Sequence, residues 1–136
     1  EQSRLALWDL SGQPDYAPLV QQAIGPDALY LLHVAAPVWD DNVYPQLVGN
    51  WLEALHATAP GAVVQIVLTQ CDKLLSAEGA AEAEITTEAL TTAAATIVSQ
   101  IRARVDQSLK PGGNSAAAPP LRVQEQIMCV SSSKGA

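Results

Sequence analysis

Asp9-Leu10-Ser11-Gly12-Gln13 follows directly on the short apolar run Leu5-Ala6-Leu7-Trp8. A carboxylate at the end of a buried strand can hold a divalent cation, usually through its waters. A glycine there lets a backbone N–H approach a phosphate closely, and the glutamine beside it can orient an attacking water. The same five residues also make an ordinary strand-to-turn junction, in which Asp9 and Gly12 only bend the chain. Further along, Thr69-Gln70-Cys71-Asp72 follows the apolar run 62–68. A carboxylate so placed can accept from N1–H and the exocyclic amine of a guanine, a donor pair that adenine lacks. The alternative for Asp72 is a helix N-terminal cap. Ser131-Ser132-Ser133-Lys134-Gly135 follows a last apolar run at 126–130. Its small residues leave backbone free to meet a base carbonyl, and Lys134 can lie against the ring system; the alternative is a plain serine-rich tail.

Each candidate sits just after an apolar run, so the elements that would position them come next. Residues 28–35 (ALYLLHVA) and 62–68 (AVVQIVL) are nearly continuous apolar sequence, the pattern of strands buried on both faces. Residues 5–8 and 126–130 are shorter strand candidates. Between them, 43–58 carries Leu47, Trp51 or Leu52, and Leu55 at helical spacing, ended by Pro60-Gly61. Residues 85–109 form the longest predicted helix, with Leu90, Ala94, Ile97, Ile101 and Val105 on one face. The Pro-, Gly- and Ala-rich tract 110–122 reads as a flexible loop. Strands alternating with helices predict an α/β fold with a mostly parallel sheet and flanking helices. In such a sheet ligands bind outside the carboxyl ends of the strands. All three candidate segments fall there, in the order and rough spacing of the third, fourth and fifth GTPase motifs. That joint agreement carries a reading that no single motif does.

Composition narrows the alternatives. The chain has 136 residues, 49% of them hydrophobic, enough for one domain with one core. Six aromatics and many alanines make the individual core contacts small. A formal charge of −7 with scattered basic residues argues against nucleic acid, whose phosphates are bound by clustered Lys and Arg. No apolar stretch is long enough to span a bilayer and no signal peptide opens the chain. Cys71 and Cys129 read as small core hydrophobes suited to a reducing, cytoplasmic setting, with no disulfide framework. Glu1-Gln2-Ser3-Arg4 runs almost at once into a strand-like pattern, which leads us to expect a fragment whose domain begins upstream.

With these motifs in place, the sequence resembles the Roc (Ras of complex proteins) GTPase domains of the Roco family, the group of the leucine-rich repeat kinases and the malignant fibrous histiocytoma amplified sequence proteins. WDLSGQPDY looks like a Roc switch II, and Thr69-Gln70-Cys71-Asp72 is similar to Roc usage, with Thr where small Ras-like GTPases usually have Asn. Leu29-Tyr30-Leu31, then a polar tract and a Trp-containing helix, also looks Roc-like. The resemblance implies that 1–136 is the C-terminal part of a P-loop GTPase-like (Ras-like) domain, truncated at its N-terminal side. By matching position, Asp9 would assist Mg²⁺, Gly12 would contact the γ-phosphate of GTP, and Gln13 would correspond to the water-orienting residue. Thr69, Gln70 and Asp72 would surround the guanine of GTP or GDP, and Ser132, Ser133 and Lys134 would complete the pocket. Gln70 departs from the Lys common in other GTPases. The family pattern also implies an adjoining COR domain and a homodimer partner. No G-x-x-x-x-G-K-[ST] or switch I threonine occurs in the chain, so this segment alone is expected to bind nucleotide poorly and to be inactive.

Other residues have plainer readings. His33 and His56 have no metal-ligand spacing. Asp40-Asp41 reads as a solvated loop or a cap, and the serines near the end lack the elbow of a serine hydrolase. Two functions follow: a GTP-hydrolysing signalling switch in which GTP orders residues 12–24, or a non-catalytic GTPase-like module for docking or dimerisation. Gln13 favours the first; Gln70 and the missing phosphate loop leave room for the second.

Overall fold

The structure, a computed structural model, describes residues 6–10, 12, 13, 15, 17–25, 27–77, 86–109 and 120–131. Its centre is strand β2 (Val63–Thr69), with Val64, Ile66, Val67 and Leu68 all buried. β2 is rich in β-branched side chains, which pack well on a pleated surface. Along one edge it pairs in parallel with β1 (Leu29–Ala35), in register from Leu29 opposite Val63 to Ala35 opposite Thr69. Along its other edge it takes two short parallel strands, β3 (Arg122–Val123) and β4 (Met128–Cys129). Between these two the chain leaves the ladder. The Gln65 side chain bridges the gap, its Nε2 donating to the carbonyls of Gln126 at 2.7 Å and Ile66 at 2.8 Å.

Among the described residues four α-helices accompany the sheet: α1 (Ala17–Ala23), α2 (Asn50–Thr58), α3 (Asp72–Ala77) and α4 (Thr87–Ser108). α4 starts where Thr86 Oγ1 accepts from the backbone N–H of Ala89 at 3.2 Å, satisfying a donor that the helix itself cannot. Its residues Leu90, Ala94, Ile101 and Val105 are buried, as the helical spacing predicts, and Ile97 packs half-buried beside them. They share one core with Leu52 and Leu55 of α2 and with Val34, Val64, Ile66 and Leu68 of the sheet. The alternate β1 positions Leu29, Leu31 and His33 stay exposed, so β1 buries only one side of its pleat.

The helix expected over 43–58 forms in pieces. A 3₁₀ turn, Asp41–Val43, is capped by Asp40, whose Oδ1 accepts from Asn42 N at 2.8 Å. A wider π turn, Pro45–Gly49, then leads into α2. Pro45 has no N–H to give, and the buried Tyr44 ring packs over Gly49, where a Cβ would come within 3.3 Å of Cε1. Arg104 of α4 clamps this connection. Its Nε lies 3.3 Å from Asp41 Oδ1, its guanidinium sits 5.4 Å from the Tyr44 ring centre, and Nη2 donates to the Asp41 carbonyl. Trp39 Nε1 also reaches Gln100 Oε1 of α4, at 2.9 Å.

Two expectations are corrected. The strand expected at residues 5–8 is not a strand over its described part: residues 6–10 are irregular, with Leu7 87% and Trp8 76% exposed. A run of four residues cannot bury its side chains or pair its backbone without a neighbouring strand, and none of the described residues pairs with it. The tract 110–122 does not stay a loop to its end: Leu121 is buried and Arg122 opens β3, while residues 110–119 lie outside the described residues. α1 and α3 are helices that the apolar periodicity did not mark, both being too short to display it. No helix among the described residues is long and apolar enough to cross a membrane.

Candidate functional site

β2 delivers Thr69 to the carboxyl edge of the sheet, and the chain turns sharply there. Gln70 has φ 57°, in the left-handed region that costs a non-glycine residue roughly 1–2 kcal/mol. Its side chain is held, Oε1 accepting from Lys73 Nζ at 2.6 Å. The turn closes with Lys73 N and Leu74 N donating to the carbonyls of Gln70 and Cys71, and Asp72 opens α3. Thr69 Oγ1 points back to β1, donating to the Val34 carbonyl at 3.4 Å.

β4 brings a second segment to the same edge. Val130 N donates to Leu68 O at 2.8 Å, and Cys71 N donates to Val130 O at 3.2 Å, so the ladder continues past the last residues of both strands. Ser131 follows, and its Oγ donates to Asp72 Oδ1 at 2.7 Å. The Asp72 carboxylate is therefore fixed from a residue 59 positions away rather than left to find its own rotamer. Ser131 heads the candidate serine segment, and this bond joins it to Asp72, whereas matching by position began that group at Ser132. Ser132, Ser133 and Lys134 lie outside the described residues.

The structure thus brings Thr69, Gln70 and Asp72 together with Ser131. Asp9, Gly12 and Gln13 are all exposed, and among the described residues no strand leads into them. A Cβ added to Gly12 would meet nothing within 4 Å, so packing within the chain does not demand a glycine there. His33 and His56 are exposed, and no group of three or more metal-binding side chains occurs among the described residues.

The two cysteines meet at this edge. Cys71 is fully buried and its Sγ lies 3.3 Å from Leu68 O, while Cys129, the register partner of Leu68, is half-buried. Burial pushes the Cys71 thiol up to about 11, with the adjacent Cys129 adding to the rise and the Val130 backbone opposing it. Burial raises the Cys129 thiol as well. Neither is a ready nucleophile at neutral pH.

What this edge presents is an oriented carboxylate beside polar side chains and a tight turn. That donor and acceptor set suits the polar edge of a planar heterocycle.

Part of the chain is similar to curated proteins. Over 69 residues, 51% of this chain, it is 35% identical to the malignant fibrous histiocytoma-amplified sequence 1 homolog of Mus musculus. The same identity over the same length is found with malignant fibrous histiocytoma-amplified sequence 1 of Homo sapiens. The matched stretch spans about 7% of each of these relatives. No family profile matches the chain, and no solved structure does.

Proposed function

We propose that this chain is part of a guanine-nucleotide-binding switch domain of the Roc type, binding GTP or GDP with Mg²⁺ and hydrolysing GTP in a longer parent protein that signals within the cell. The observation that carries the reading is the Ser131–Asp72 hydrogen bond, 2.7 Å long, which orients a carboxylate at the carboxyl edge of a parallel sheet. In this reading Asp72 accepts from the two donors of guanine, Thr69 and Gln70 line the base, and Ser132, Ser133 and Lys134 close over it. The partial similarity to the malignant fibrous histiocytoma-amplified sequence 1 proteins supports the family choice. On the same analogy, a COR domain and a second copy of the parent are its partners.

The fit differs between base and phosphate. Thr69, Gln70 and Asp72 lie at the end of the buried strand β2 and just after it. Asp9, Gly12 and Gln13 belong to an exposed stretch, so their roles toward Mg²⁺, the γ-phosphate and water depend on a chain or ligand that orders it. Bound Mg²⁺ would supply charge neutralisation at the phosphates; the described residues add no geometry to that step. This asymmetry favours one second reading, a non-catalytic GTPase-like module that keeps the fold for docking or dimerisation.

Base choice tests the proposal. In a longer chain that supplies a phosphate-binding loop, Asp72→Asn should exchange a preference for GTP for one for XTP, because the amide presents a donor where the carboxylate accepted. Competition binding with GTP, XTP and ATP measures it. Unchanged GTP affinity would reduce Asp72 to a residue of the α3 start.

A further inference from the structure

We infer that Cys71 and Cys129 form an oxidative modification site, joining in an intramolecular disulfide that ties the turn after β2 to the end of β4. The geometry comes from the ladder. Cys129 stands opposite Leu68 in the parallel register, and Cys71 Sγ folds back to within 3.3 Å of the Leu68 carbonyl. The backbone closes the same gap, Cys71 N donating to Val130 O at 3.2 Å and Val130 N to Leu68 O at 2.8 Å. The Cys71 side chain thus returns to the rung that Leu68 shares with Cys129, and each thiol lies in the other's electrostatic surroundings. Cys71 is bonded through its backbone to Val130, the chain neighbour of Cys129, so the two cysteines sit on segments already tied together, as a disulfide requires.

Access is unequal, and this gives the two sulfurs different parts. Cys129 opens on the groove between α4 and β4, lined by Thr91, Val98, Arg102 and Ile127, whereas Cys71 is fully buried. With oxidised glutathione as oxidant, Cys129 loses its proton and its thiolate attacks one glutathione sulfur, expelling the other half as glutathione thiolate. Cys71, deprotonated in turn, attacks the Cys129 sulfur of this mixed disulfide and expels the second glutathione thiolate. One protein disulfide forms, one oxidised glutathione is reduced to two glutathione molecules, and the departing thiolates take up the two protons. With raised pKa the two thiols hold little thiolate at neutral pH, so the bond forms slowly, and as poor leaving groups they make it slow to be displaced once formed. Asp72 directly follows Cys71, so the bond would also stiffen the turn that carries the base contacts; that consequence rests on the reading proposed above.

The experiment is thiol accounting by intact mass on the full chain, reduced, then incubated folded with oxidised glutathione, quenched in acid and denatured. The expected product is a monomer lighter by two hydrogens, with no free thiol and no glutathione adduct. Cys71→Ala should instead accumulate a single glutathione adduct on Cys129, the trapped first intermediate, and Cys129→Ser should leave Cys71 unmodified. Two free thiols, two glutathione adducts or only chain-to-chain disulfides in the parent would each overturn the inference. Nucleotide competition is run separately on the reduced chain within its longer parent. If the disulfide forms while GTP and ATP bind equally, the modification site stands and the guanine reading falls.

Discussion

The turn at 69–72 and the stretch at 6–13 were both read from sequence as strand-end sites, yet the structure treats them in opposite ways. The first hangs from a strand whose residues Val64, Ile66 and Leu68 are at most 1% exposed, and it is tied to β4 by backbone and side-chain bonds. The second carries Leu7 and Trp8 almost fully in water. Both have the residue types that their proposed roles would need. What separates them is support: a functional side chain is only as well placed as the shell behind it.

The largest expected effect breaks this comparison at its base. Ile101→Ala, which empties a fully buried position of α4 beneath the sheet, should cost about 3 kcal/mol, whereas Leu7→Ala should cost less than about 0.5 kcal/mol because Leu7 already faces water. Urea unfolding of both variants measures the contrast, and equal losses would show that residues 6–10 are packed after all.

Next comes pH. The Cys71 thiol is raised in the folded chain from its ordinary 9.0 to about 11, so folding favours the protonated form. That stability is fully present below pH 9 and is lost as pH climbs towards 11, by on the order of 2 kcal/mol for a shift of this size. The urea midpoint should fall over that window, and Cys71→Ala should flatten the fall. An identical slope in the variant would place the titration elsewhere.

The third effect probes the weaker region. In a longer chain that supplies a phosphate-binding loop, Gln13→Leu should slow single-turnover GTP hydrolysis about tenfold, or about 1.4 kcal/mol in the barrier, with little change in GTP affinity. Equal single-turnover rates would remove Gln13 from the mechanism and favour the docking module. The smallest effect sharpens the stronger region. Ser131→Ala removes one partly buried hydrogen bond to the Asp72 carboxylate and should cost about 1 kcal/mol of stability. Its larger consequence should fall on discrimination between GTP and ATP, since Asp72 then loses the Ser131 bond that orients it. Stability lost without any change in that ratio would make the bond structural alone.

Sequence by itself determined much of the fold. The near-continuous apolar runs became β1 and β2, and the three- and four-residue spacing from Leu90 to Val105 became the buried face of α4, because burial periodicity is a local property of the chain. It also marked Thr69, Gln70 and Asp72 as a strand-end group, since strand ends follow from the strands. Tertiary structure alone decided the rest. Whether residues 6–10 pair depends on a neighbour that their own side chains do not encode. The π turn at Pro45–Gly49 answers to the Tyr44 ring packed above it, and β3 is set by the open edge of Val63 and Val64. Ser131 and Cys129 gain their meaning only when the parallel register sets them beside Asp72 and Cys71, 59 and 58 positions apart in the chain. Contacts at that separation are fixed by which strands share an edge, and no local pattern of residues records it.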